Sequence, residues 1–222
     1  REDQDAFALE SYRRAMAAQS EGRFKDEIIP VEVPTRRGEP VVVEEDEEPK
    51  RARLDSFGGL RAAFSKTGTV TAANASSIND GAAALVVCAG SVARELGLPV
   101  LARVLGDATF AQDPQWFTTA PVHAMARLFE KTGIDAGDWD LFEINEAFSG
   151  VTMAAIREHK LDAERVNVNG GAVSLGHPIG CSGARILVTL LHALKDRGLR
   201  RGLATLCIGG GEAVALGVEL PS

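Results

Sequence analysis

The chain is 222 residues long and 45% hydrophobic, enough to enclose one large or two small cores, which excludes an unfolded or fibrous protein. Its 24 basic and 31 acidic residues give a formal net charge of -7, the wrong sign for a chain whose main partner is nucleic acid. No apolar run approaches the roughly 20 residues that cross a bilayer, and Arg1-Glu2-Asp3-Gln4-Asp5 is neither a basic leader nor a signal core, so a cytoplasmic chain with no membrane partner is expected.

Residues 5–19 carry a helical pattern, with Phe7, Ala8, Tyr12, Ala15 and Met16 on one stripe. The pattern starts with no lead-in, as an excised piece would. Over 24–43 it gives way to alternation broken by Pro30, Pro34, Gly38 and Pro40, which predicts short extended segments. The acidic run 44–48 reads as a solvated face. Behind it, Lys50-Arg51-Ala52-Arg53 is a compact cationic group that suits a phosphate or an ordinary surface equally. Residues 68–77 are small and polar: they either let a ligand approach the backbone closely or form a tight structural loop. They lead into a helix expected over 80–87, and Cys88, on the apolar stretch 83–89, reads as core.

Beyond Pro99 the pattern predicts a strand at 100–104, a helix at 121–131, a strand at 141–144, a helix at 147–159, a strand at 166–168 and a helix at 181–195, then strands at 203–208 and 214–220. This alternation implies a layered α/β fold, a mixed sheet sandwiched by helices, with its chemistry at the strand ends.

Three strand-end segments should converge there: Asn145-Glu146-Ala147-Phe148, the glycine-dense run 170–183, and Cys207-Ile208-Gly209-Gly210-Gly211. His177 stands between Gly176 and Pro178 in a turn that makes little sense as packing and looks built to present an imidazole, the side chain that takes and returns a proton near neutrality. Cys207 lies where a strand breaks into three glycines, whose bare amides can lower a thiol pKa and bind an oxyanion; the alternative is a small buried core residue. Asn145 is either part of this site or the N-cap of the helix that follows. The run lacks the Gly-Lys-Ser/Thr ending of a phosphate loop and the Gly-x-Gly-x-x-Gly of a dinucleotide fold. Ala184 spoils a nucleophile elbow at Gly180-Cys181-Ser182-Gly183, and His177 with Cys181 lacks further zinc ligands nearby. Cys88, Cys181 and Cys207, an odd number without CxxC spacing, read as free thiols.

Taken together, Asn-Glu-Ala-Phe, Gly-His-Pro-Ile-Gly-x-Ser-Gly-Ala-Arg and Cys-Ile-Gly-Gly-Gly, in this order, resemble the thiolase family, and the resemblance runs over essentially all 222 residues. It implies coenzyme A as substrate, no redox cofactor, and a two-step exchange: a thiolate attacks a 3-oxoacyl-CoA, acetyl-CoA leaves, and the acyl group passes to a second CoA. The reverse is a Claisen condensation. By matched position His177 would activate the nucleophile, Cys207 would move the proton at the carbon alpha to the thioester, and Asn145 and Gly209 would serve oxyanion holes. Ser76 would touch the pantetheine, Arg51, Ala52 and Arg53 would lie near the CoA phosphates, and Phe64, Phe148, Tyr12, Ala72 and Phe117 would complete the CoA and acyl site. Tyr12, Ala72, Ala73, Ala75 and Val173 match positions that bind potassium in the acetoacetyl-CoA branch of the family, which with Phe117 favours a short substrate.

A longer-chain 3-ketoacyl-CoA thiolase is the alternative, and a noncatalytic fragment or assembly partner is a second. The resemblance divides the chain into an active-site and CoA-binding loop region (1–78), a remnant of the N-terminal core (79–99) and a complete C-terminal core (100–222). It places the nucleophilic cysteine outside these residues, so the 222 residues alone should be inactive. It implies a homodimer or homotetramer through the missing half and the loop region, and an apolar surface exposed along the remnant.

Overall fold

The computed structural model describes residues 1–221. Helix α1 (Glu2–Ser20) opens with Glu2, Asp3 and Asp5 in its first turn, where negative charge meets the positive end of the helix dipole. It buries Asp5, Ala8, Ser11, Tyr12, Ala15 and Ala18. The stripe is thus rotated slightly from the one read in the sequence, and Met16 stays 42% exposed. The short strands β1 (Val31–Val33) and β2 (Val41–Val43) pair antiparallel as an exposed hairpin, followed by the single turn α2 (Glu48–Arg51).

Four strands form the main sheet, β3 (Arg103–Ala111), β4 (Leu141–Ile144), β5 (Arg201–Cys207) and β6 (Glu212–Glu219), in the order β3-β6-β5-β4. Only β4 and β5 run parallel, so the sheet is mixed as expected. Alternation along each strand sends side chains to opposite faces. Phe142, Ile144, Leu203, Ala213 and Ala215 join Met125 and Leu128 of α4 (Ala120–Thr132), Ala155 of α5 (Ser149–Glu158) and Trp139 in one core. Leu141, Ala204 and Val218 meet Ile186, Leu190 and Leu194 of α7 (Ser182–Asp196) in the other. Helices therefore cover both faces, and each fully buried large apolar side chain contributes about 1.5–3 kcal/mol relative to exposure. Gly217 is a close-approach point: a Cβ there would lie 2.4 Å from the Trp139 ring, so a larger residue would open the first core.

Several expected elements differ. Residues 80–89 form no helix; α3 (Gly90–Glu95) begins only afterwards, and Ile78, Val86 and Val87 are 79–93% exposed. A short apolar run does not distinguish helix from strand by periodicity alone, and this one packs closely only at Gly81, against Pro178, while most of its side chains are exposed. Cys88 is exposed, not core. The first strand of the sheet lies at Arg103–Ala111 rather than 100–104, because pairing with β6, with a register shift between Val104 and Gly106, outweighs the glycine and aspartate that look like breakers. Residues 166–168 make only isolated bridges, Val166 to Phe142 and Val168 to Gly170, and Gly170 turns the chain before the short α6 (Ala172–Leu175). Among the described residues no helix is long and apolar enough to cross a membrane.

Candidate active site

The three glycine- and asparagine-bearing segments meet at one end of the sheet. Ile144 pairs with Thr205 across β4 and β5, and the Asn145 N–H extends the ladder to the Thr205 carbonyl at 3.0 Å. The chain after Asn145 and the strand end at Cys207 therefore leave the sheet side by side. Asn145 is not a helix cap, since α5 starts at Ser149 with Phe148 as its N-cap. Its side chain is buried, with Nδ2 3.3 Å from His177 Nε2 and Oδ1 lacking a partner.

His177 is held at backbone and ring. Its N–H donates to the Ser77 carbonyl at 2.9 Å and to Asn79 Oδ1 at 3.2 Å, which ties it to the loop after residue 76. Gly176 permits this: its φ is +92°, and a Cβ would fall 2.3 Å from Asn79 Oδ1. Ring Nδ1 lies 2.6 Å from Ser182 Oγ at the start of α7. Burial holds the imidazole pKa below its usual value, and the nearby Arg185 cation pushes the same way, so the ring rests neutral at physiological pH.

Cys207 is buried against Ala147 and Val151, with Phe117 and Phe148 beside them. Burial pushes its thiol up to about 11, opposite to the lowering that bare glycine amides suggest in the sequence; a backbone hydrogen bond offsets only part of this. Nor are all three glycine amides bare, because Gly211 N–H is taken by the Ile208 carbonyl at 3.1 Å. Gly209 and Gly210 are exposed at the turn.

The loop over 68–77 lies along the Asn145–Phe148 segment. Both the Ser76 hydroxyl and its N–H donate to the Ala147 carbonyl (2.9 and 3.1 Å), Ala75 bridges Phe148, and Ser149 N–H donates to the Asn74 carbonyl. Phe148 stands between Phe64 and Phe117, with ring centroids 6.3 and 6.2 Å away. Tyr12, Ala73 and Val173 share one buried cluster with Phe57, to which Ala52 is added at its edge; Ala75 is half-buried and Ala72 exposed. Burial, with Glu48 and Glu146 nearby, pushes the Tyr12 phenol up to about 12. The cationic group is more engaged than its sequence suggests: Arg51 pairs with Glu47 at 3.0 Å and Lys50 with Glu45, so the acidic run is partly a counter-charge. Arg53 is exposed.

Sequence reading passed over three features. Ser182 sits five residues after His177 within the same motif, a spacing that puts its hydroxyl back on the ring. Glu146 is a fully buried carboxylate accepting from Ser11 Oγ (2.7 Å), Asn167 Nδ2 (2.8 Å) and Val173 N–H (3.1 Å). Glu143 and Arg185 form a third buried polar site beneath them.

Comparison with known proteins accords with this geometry. Residues 98–220 match the family model for the thiolase C-terminal domain, and residues 1–91 that for the thiolase N-terminal domain. The N-terminal match takes in the residues read as the loop region and 79–91 of those read as the remnant. The chain is 52% identical to an acetyl-CoA acetyltransferase of Allochromatium vinosum, with 99% of this chain and 56% of that protein covered. It is also 52% identical to one of Pseudomonas aeruginosa, with 97% and 55% covered. The crystal structure of the Bacillus anthracis acetyl-CoA acetyltransferase superposes with a TM-score of 0.95 at 46% identity, over 99% of this chain and 56% of that one. A thiolase from Ascaris suum in complex with coenzyme A gives 0.89 at 46% identity, over the same shares. The chain spans a little over half the length of these relatives.

Proposed function

Because the chain belongs to the thiolase family, we propose that its site is the acid/base half of a thiolase acting on a short 3-oxoacyl-CoA, with acetoacetyl-CoA and CoA giving two acetyl-CoA or the reverse. The observation that carries this is the Asn145–His177 contact at the end of the sheet where Cys207 also emerges.

The roles follow from protonation states. A neutral His177 accepts the proton of a thiol and so generates the thiolate that attacks the substrate carbonyl. When the bond between the alpha carbon and that carbonyl breaks, its electron pair stays on the alpha carbon. Cys207, whose thiol keeps its proton at neutral pH, donates it there. The thiolate left behind is the form that takes up the alpha proton when the step runs in reverse, in condensation. Asn145 Oδ1, buried and unpartnered, fits a water held for the thioester oxygen, and the exposed Gly209 N–H offers a second donor. The aromatic group of Phe64, Phe148 and Phe117 flanks the approach, and Phe117, packed beside Cys207, favours a short acyl chain. Ser76, already seated on Ala147, faces the pantetheine, with Arg51, Ala52 and Arg53 toward the phosphates.

We infer a potassium ion in the Tyr12 region: Tyr12, Ala73 and Val173 share one buried cluster, and the ionisable groups that act on the phenol are the carboxyl groups of Glu48 and Glu146. Tyr12, Ala72, Ala73, Ala75 and Val173 would hold it, and it would supply rigidity to the CoA loop.

The nucleophile is not among these three cysteines. Burial raises the thiols of Cys181 and Cys207, and Cys88 matches no nucleophile motif, so the 222 residues by themselves should not turn over acetoacetyl-CoA. In the complete protein, His177→Ala should slow both acyl-enzyme formation and its breakdown. Cys207→Ser should still be acylated by acetyl-CoA but should lose solvent-deuterium exchange at the alpha carbon, by about 100-fold or more. Undiminished exchange in Cys207→Ser would assign the proton transfer to another group.

A further inference from the structure

A histidine that takes a proton must present an unprotonated nitrogen to it, and a neutral imidazole has one nitrogen of each kind. Which nitrogen carries the proton is decided by the partner of the other. In this structure His177 has a polar side chain on each: Ser182 Oγ at 2.6 Å from Nδ1 and Asn145 Nδ2 at 3.3 Å from Nε2.

Ser182 has one hydroxyl proton. The hydroxyl lies 3.1 Å from the Pro178 carbonyl, which can only accept and which also receives the Cys181 and Ser182 N–H groups at 2.8 and 2.9 Å. With Nε2 facing the Asn145 amide NH2, the proton of the neutral ring sits on Nδ1 and is accepted by the Ser182 oxygen, whose own proton is left for that carbonyl. Ser182 is fully buried, at the first position of α7, and its own N–H donates to the same Pro178 carbonyl at 2.9 Å, so the hydroxyl is held against rotation. On the other side an amide NH2 points at Nε2, which only an unprotonated nitrogen accepts.

We propose that Ser182 is a positioning residue that fixes His177 as the Nδ1–H tautomer and so makes Nε2, beside Asn145, the nitrogen that exchanges protons. This rests on the reading of His177 as the acid/base group, but the tautomer is observable without any turnover. The free imidazole of histidine favours Nε2–H, so the assigned state depends on the contacts at both nitrogens, of which Ser182 makes the shorter. A serine oxygen on Nδ1–H also stabilises the imidazolium formed when Nε2 takes its proton, as an orienting acceptor does in a catalytic triad.

The test is nitrogen-15 NMR of the complete protein labelled at histidine, with His177 identified by its loss in His177→Asn. At a pH where the ring is neutral, the wild type should show a protonated, pyrrole-type Nδ1 and a pyridine-type Nε2. Ser182→Ala should move the ring toward Nε2–H and lower kcat by about 10–100-fold with little change in KM. Ser182→Thr, which keeps the hydroxyl, should restore both. A pyridine-type Nδ1 in the wild type overturns the proposal without recourse to any variant that folds poorly. So does a fall in kcat for Ser182→Ala with the ring shifts unchanged, which would make the serine merely structural. Failure of His177→Ala to impair either half-reaction would instead overturn the functional reading and leave the tautomer result intact.

Discussion

Arg185 Nη1 stands 4.0 Å from Glu143 Oε2, yet the pair is not closed: Glu143 Oε1 and Arg185 Nε are both buried without a hydrogen-bond partner. By distance this is an ion pair, but the orphaned atoms and the raised carboxyl pKa show that little of the desolvation cost is recovered. Glu143 lies two residues before Asn145 on β4, and Arg185 three residues after Ser182 on α7, so the incomplete pair sits directly beneath the two elements that hold His177.

That geometry sets a pH dependence of stability. Burial pushes Glu143 up to about 8; Arg185 pulls it back, while Glu146 and Glu27 push it further. Burial likewise pushes Glu27 up to about 7. A carboxyl with a raised folded-state pKa binds its proton more tightly when folded, so between about 4.5 and 8 the folded state carries more protons and stability falls as pH rises. Thermal unfolding of the complete protein should therefore show the melting temperature declining from pH 5 to 8, and Glu143→Gln should flatten the upper part of that decline. A parallel curve for the variant would mean that Glu143 does not titrate in this window.

Glu146 offers a sharper stability test. Its two carboxylate oxygens accept three donors, from α1, from the 166–170 turn and from α6. Glu146→Gln turns one oxygen into an NH2 facing donors, which should cost about 2–3 kcal/mol. Urea unfolding would measure it, and a loss under 0.5 kcal/mol, roughly the noise of such a series, would show that the three contacts are not jointly made.

Gly176→Ala should damage the site through His177 rather than through CoA binding. The added methyl meets Asn79 at 2.3 Å in a backbone conformation with φ +92°, and Asn79 is one of the two groups holding the His177 amide. Steady-state kinetics of the complete protein should show kcat reduced by at least about 10-fold with the KM for CoA within twofold, alongside about 1–3 kcal/mol of backbone strain. A raised KM with unchanged kcat would place the defect in the CoA loop instead.

If potassium occupies the Tyr12 region, the complete protein should be faster in potassium than in sodium buffer, because carbonyl cages select hard cations by size. Tyr12→Phe should abolish the difference while leaving the T-shaped packing on Phe57, centroids 5.3 Å apart, in place. Equal rates in both salts for the unaltered protein would remove the ion from the mechanism.

The catalytic segments were legible because each is short and contiguous. Asn145, His177 and Cys207 announce themselves through neighbours that packing alone does not require, and amphipathic periods located α1, α4 and α7 to within a few residues. What the sequence by itself determined, then, was the layered α/β class, the family, and the segments that the fold brings together around Asn145, His177 and Cys207. Tertiary structure decided the rest, since those outcomes depend on partners far along the chain. Residues 80–89 are mostly exposed and take no regular structure, whereas β3 exists because β6 pairs with it more than 100 residues later. The Cys207 thiol is raised because Ala147 and Val151 bury it, although local glycines suggested lowering. Glu146 is held by donors from 135 residues before it to 27 after, and Asn145 meets His177 across 32. Local pattern records the propensity of a segment, but burial, charge and hydrogen bonding are properties of what the fold sets opposite it.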